Sequence, residues 1–181
     1  IVPPGGHHIL ADMAIRERVA RLLGEMPRSA QFPSQGATLF VDLERRETTS
    51  AFTPLAVTRT LLAGRGANMY YLYRLLDESL TPLDPEVPMI FGSGLLTGLV
   101  PSAARGNLSS WSPESGVLLD ANAGDYFPSF LRMNGFDHLV LYGRAPVWTL
   151  IVIREGQVTF EDAAPYAGMD NIDMRAAIAR A

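Results

Sequence analysis

The sequence has 181 residues, of which 48% are hydrophobic and 19% charged, with a formal net charge of -4. It is long enough for one domain with a real core and lacks the concentrated basic surface that nucleic-acid binding needs. All fifteen basic residues are Arg and there is no Cys. A lysine Schiff base, a phosphate-loop lysine, disulfides, thiolate nucleophiles and Cys-ligated clusters are therefore excluded within this chain.

No apolar run reaches a membrane span, the longest being the strand-sized stretch from Val147 to Ile153. The first ten residues lack the charged-then-apolar order of a secretory signal, so a cytoplasmic protein with no membrane association is expected. His7 and His8 stand together without a third ligand nearby, which makes a weak metal site. Met13, Ile15, Val19, Leu22 and Leu23 recur at helical spacing over residues 12–25, with Asp12 as candidate cap and Pro27 as stop. Packing on its own domain is the expected role of this helix, ahead of docking to a second chain. A linker over 32–36 then separates an extension, residues 1–34, from a domain covering 35–181.

Alternation over 37–43, a charged turn at 44–47 and a β-rich return over 48–52 predict a hairpin. Thr53 is a candidate cap for a helix that starts with Pro54 and runs to about Ala63. Gly64 and Gly66 break the chain around Arg65. A helix over 67–76 follows, with Met69, Leu72, Tyr73 and Leu76 spaced for burial, and its tyrosines read as core rather than as a binding strip. Three prolines make 81–88 irregular. A short buried strand over 88–93 enters a stretch rich in Gly, Ser and Pro, where small residues let backbone approach a ligand closely. Strands over 108–111 and 116–119 and a helix over 126–133 come next, the helix capped by Asp125 and closed by Gly135. Strands over 138–142, 147–153 and 157–161 read as a meander with a turn at Glu155-Gly156, and a helix runs from Asp170 to the end. This is an α+β pattern of mixed, largely antiparallel sheets with interspersed helices, without βαβ alternation or a dinucleotide fingerprint.

Chemistry-bearing sets are sparse. His138 sits mid-strand and reads as a core imidazole, and Asp120, Asp125 and Asp137 each have a turn, cap or strand-end explanation. The chain reads as one that binds rather than reacts.

Ordered pieces carry a resemblance. They are GRG at 64–66, TPLDPE at 81–86, GSGLLTG at 92–98, ARGN at 104–107, SPESG at 112–116, ANAGDYF at 121–127 and NGFDHLVLYGRA at 134–145. From about Gln35 onward the sequence resembles the N-terminal domain of the aldehyde:ferredoxin oxidoreductase family, tungsten enzymes with a bis-pyranopterin cofactor. The resemblance implies a cofactor-binding platform. It matches Arg105 to an arginine lying between the pterin and an iron–sulfur cluster, and Asn122 to an asparagine that helps bind a magnesium ion bridging the two pterin phosphates. A carboxamide oxygen suits that hard cation. Backbone at Gly94, Leu95, Ala123 and Gly124 is expected to line the same cofactor. The sequence departs from the pattern at Ala103 and Ala104, where glycines precede the arginine, and at Asp125, where a carboxylate would repel phosphates unless a cation intervenes.

The resemblance further implies oxidation of aldehydes to carboxylic acids with tungsten or molybdenum. Electrons would leave through a 4Fe–4S cluster whose cysteines lie in other domains or a partner chain, to a ferredoxin-like acceptor. A homo-oligomer is expected, and this chain alone is expected to be inactive. A non-catalytic binding or assembly module that keeps the fold without cofactor is the alternative. Asp125 and the missing cysteine-bearing half favour the module; Arg105 and Asn122 oppose it.

Overall fold

The computed structural model describes residues 8–77, 79–124 and 126–180. In chain order the elements are α1 (His8–Glu25), β1 (Ala37–Asp42), β2 (Glu47–Ala51), α2 (Leu55–Leu61), α3 (Arg65–Leu75), β3 (Met89–Ser93) and β4 (Gly106–Trp111). β5 (Leu118–Ala123), α4 (Phe127–Met133), β6 (Phe136–Tyr142), β7 (Thr149–Arg154), β8 (Gln157–Asp162) and α5 (Asn171–Ile178) complete the chain. Six strands form one sheet in the order β2-β1-β6-β3-β4-β5, and β7 pairs with β8 in a second. Among the described residues only the β1–β6 ladder is parallel, so the expected mixed, largely antiparallel α+β class is what forms.

The expected meander does not form. β6 runs through the middle of the large sheet because it is apolar to both faces, with Val140 and Tyr142 in one core and Leu139 and Leu141 in the other. The β7–β8 hairpin turns at Glu155-Gly156 as expected, with φ of 52° and 75° at the two central residues, the geometry of a type I′ turn.

β1 is buried on both faces by the same logic. Phe40 joins Ile15, Val19, Leu22, Met26, Tyr71 and Leu75 beneath α1 and α3. Leu39 and Val41 join Leu131 of α4, with Ile151, Ile153, Val158 and Phe160 of the small sheet packed against them. α1 thus packs on its own chain, and Arg16 clips it to Asp42 at 2.6 Å. The helix begins at His8, which places Asp12 inside it rather than at its cap.

Two local expectations are corrected by side-chain partners. Thr53 does not cap α2; its hydroxyl lies 2.7 Å from the Tyr71 hydroxyl, which also meets Thr38 at 2.7 Å, and Pro54 is the N-cap. The buried stripe of α3 is Ala67, Asn68, Tyr71, Leu72 and Leu75, which leaves Tyr73 85% exposed. The period was right and the phase was one residue off, because the helix starts at Arg65. Asp170 caps α5 by accepting from the N–H groups of Ile172 and Asp173. The proposed cap at Asp125 lies outside the described residues, as does His7 of the His7–His8 pair.

Candidate functional site

The ladders decide which candidates meet. Ser93 pairs with Gly106 and Gly106 with Ala123, so the end of β3, the start of β4 and the end of β5 lie side by side. Gly94, Arg105 and Gly124 each sit one residue beyond those pairs, at a single end of the sheet. The first turn of α3 joins them: Gly64 N–H donates to the Ser93 carbonyl at 2.9 Å, and its φ of +58° is one that glycine adopts without a steric cost.

Gly94 and Leu95 are tied into the fold. Both carbonyls accept from Arg132 Nη1, at 2.7 and 2.6 Å, and Gly94 N–H donates to Thr97 Oγ1 at 3.0 Å. The same Thr97 hydroxyl donates to the Arg105 carbonyl at 3.1 Å, so one buried threonine bridges the two strand ends. The Arg105 side chain is exposed, and no described residue accepts a hydrogen bond from it. Asn122, Ala123 and Gly124 are exposed as well, and a Cβ placed on Gly124 would meet nothing within 4 Å.

Beneath Asn122 lies a polar chain that sequence reasoning did not single out. Arg65 Nη1 donates to Asp120 Oδ2 at 2.8 Å, and Asp120 Oδ1 accepts from Asn107 Nδ2. Asn107 Nδ2 also reaches the Ala121 carbonyl at 3.3 Å and Asn122 Oδ1 at 3.4 Å. Asn107 Oδ1 accepts from Ser109 at 2.6 Å and from Asn68 at 3.1 Å, and Asn68 Oδ1 lies 3.0 Å from His138 Nδ1. Arg65 and Asn107 stood inside the quoted GRG and ARGN motifs; nothing local marked them, because their partners are 55 and 13 residues away.

The charges along this chain are settled by environment. The Arg65 hydrogen bond, then that from Asn107, holds the Asp120 carboxyl below the usual carboxylate range. Burial pushes His138 down to about 3, with Arg132 adding to the effect, so the imidazole is neutral. On the opposite face of the same strands a cavity of about 130 Å³ is lined by Phe91, Leu108, Ala121, Ala123, Phe127 and Leu131.

This end fits a large, flat, phosphate-bearing ligand in two respects. Exposed backbone at Ala123 and Gly124 offers an unobstructed approach, and the Arg105 guanidinium has donors to spare. No group of three His, Asp or Glu suited to a metal ion is present among the described residues.

Comparison with known proteins adds the following. Residues 38–181 match the family model described as aldehyde ferredoxin oxidoreductase, N-terminal domain. The tungsten-containing aldehyde ferredoxin oxidoreductase of Pyrococcus furiosus is 35% identical over 104 residues, which is 57% of this chain and 17% of that protein. Its counterpart in Thermococcus kodakarensis is 34% identical over 118 residues, covering 65% and 20%. Among solved structures, the active-site complex of benzoyl coenzyme A reductase with 1,5-dienoyl-CoA superimposes with a TM-score of 0.78 at 26% identity, over 81% of this chain and 23% of that one. The matched stretch spans about one-fifth of the length of these relatives.

Proposed function

Because the chain belongs to the aldehyde ferredoxin oxidoreductase family through its N-terminal domain, we propose that it is the cofactor-binding portion of a tungsten, or molybdenum, bis-pyranopterin oxidoreductase. The observation that carries this reading is the convergence of Gly94, Arg105, Asn122, Ala123 and Gly124 at one end of three adjoining strands. When bound, the metal and its pterins supply the two-electron oxidation of an aldehyde to a carboxylic acid. This chain's part is to bind and orient. Arg105 offers a planar set of donors to pterin heteroatoms, and Ala123 and Gly124 let the ligand lie against backbone. Asn122 belongs to the part of the site that meets the pterin phosphates and their magnesium ion. Thr97 and Arg132 hold the Gly94–Arg105 connection rigid, which keeps the donors in place without reorganisation. The 4Fe–4S cluster, its cysteines and the route to a ferredoxin-like acceptor belong to other domains or a partner chain.

Elemental and pterin analysis of the native protein, with any chain that copurifies, tests the reading. Tungsten or molybdenum together with iron and pterin is the expected result. Native material holding none of them would overturn it in favour of a binding or assembly module.

A further inference from the structure

We propose that the outer edge of β2 is an interface between two copies of this chain, on which residues 47–51 pair antiparallel about a two-fold axis at Thr49. The inference is independent of the cofactor reading, which concerns β5 and its neighbours at the opposite edge of the large sheet.

β2 presents backbone that the described residues leave unused. Its five pairs with β1 run without a register shift. Just past the strand, Phe52 N–H turns away from β1 and donates to the Pro27 carbonyl at 2.9 Å. Alternation then directs the N–H and C=O groups of Ser50 and Thr48 to the same outward side. Among the described residues nothing bonds to them there, and Glu47, Thr48, Thr49 and Ser50 are all exposed. The central run Thr48-Thr49-Ser50 has no charge, proline or bulge, the devices that normally keep an edge from pairing. The other edge strand, β5, has Asp120 at its middle.

The charges select a second copy as the occupant. Glu47 at one end of β2 and Arg28, next to Pro27 at the other, are both exposed, and neither has an ion-pair partner among the described residues. They also share a face. Glu47 alternates onto the side of Ala51, which packs in the first core with Met26, the residue before Pro27. Antiparallel pairing about Thr49 sets Thr48 against Ser50 of the other copy, and Glu47 against its Ala51, beside its Pro27–Arg28 segment. The two-fold makes this contact twice, so each unpaired acid meets an unpaired guanidinium and no like charges oppose. Thr–Thr and Thr–Ser neighbours are favourable on such a ladder. A parallel pair would instead set the two Glu47 carboxylates side by side.

The chain contains no cysteine, so a single introduced one reports the axis. Because the outward hydrogen bonds belong to Thr48 and Ser50, the two copies of Thr49 face each other as a non-hydrogen-bonded pair, with Cα atoms about 4.5 Å apart. Thr49→Cys in the native protein should therefore form an intermolecular disulfide under mild oxidation, with position 49 joined to position 49 in peptide mapping. Glu47→Cys should stay unlinked, since two copies of position 47 would lie roughly 14 Å apart along the strands. Sedimentation should show a dimer whose dissociation constant rises roughly tenfold in Glu47→Arg. Glu47→Arg combined with Arg28→Glu should bring it back to within about threefold of the parent, a recovery that damage to the strand would not give. A monomer at every concentration, a dimer in which Thr49→Cys does not cross-link, or a charge swap that fails to restore association would each overturn the proposal. So would a different chain found paired along β2 in the native protein.

Discussion

Arg105 and His138 show how two polar side chains in one small domain are put to opposite uses. Arg105 is exposed with its guanidinium unclaimed by described residues, whereas His138 is 1% exposed and neutral within a closed set of partners. Arg105→Lys should keep the fold and lose about one to two powers of ten in pterin occupancy, since a compact ammonium cannot replace a planar set of donors. Pterin content measured beside circular dichroism checks this. For His138 the folded group titrates near 3 and an unfolded one near about 6.5. Between those values the unfolded chain takes up a proton that the folded chain refuses. Stability should therefore fall as pH drops through that window, by up to about 1.4 kcal/mol per pH unit from this group, and be insensitive to it above about pH 6.5. Denaturation midpoints between pH 7 and 4, read with the imidazole NMR resonances, check both statements. Arg105 and Asn122 could be picked out in sequence because the family resemblance matched them to cofactor positions, although Asn122 lies inside β5. Asn107 could not, because an asparagine inside a strand becomes meaningful only when the fold brings Asn68 to it from 39 residues away.

Among elements, α3 and β3 carry tight steric demands, at Gly66 against the Leu61 carbonyl and at Gly92. Gly92 lies on β3 where a Cβ would run into Asn68 Oδ1 and come within 2.6 Å of His138 Nδ1. Gly92→Ala should cost about 1–3 kcal/mol by overpacking, seen as a lower urea midpoint with an unchanged slope. β6 shows a different device. Its register against β1 slips between Ala37 and Thr38, so that Phe136 and His138 take consecutive partners and Asp137 is the extra, bulged residue. The bulged carboxylate accepts from Gly36 N–H at 2.9 Å and faces Arg132 Nε at 3.3 Å, with side chains 7% and 8% exposed. Desolvation raises the Asp137 pKa against the opposing pull of Arg132, so the ion pair is what keeps a charge tolerable there. Arg132→Ala should cost about 3–5 kcal/mol by leaving that carboxylate unpaired, and it also frees the Gly94 and Leu95 carbonyls. Equilibrium unfolding of the variant measures it.

Taken whole, the molecule was legible in its elements and not in its topology. Hairpins and helices announced themselves through periodicity and turn residues, because those signals are local. That β6 inserts between β1 and β3 depends on pairings of Val140 with Phe40, 100 residues away, and with Ile90, 50 residues away, and no local pattern encodes them. The same limit hid the site. Its pieces were visible as motifs, but their convergence is a property of the β3–β4–β5 registers alone. Several large apolar side chains also remain at the surface, among them Phe130 at 54%, Met133 at 73% and Trp148 at 68%.

The small β7–β8 sheet shares no strand ladder with the large one; it touches the second core only through half-buried side chains such as Ile151, Ile153, Val158 and Phe160. Two strands held this way form a separate opening unit, able to lift off and reclose without disturbing the six-stranded sheet. Backbone amides of β7 and β8 in this chain should therefore exchange with deuterium well before those of β1, β3 and β6. Equal protection across both sheets would show instead that the molecule opens as one cooperative body.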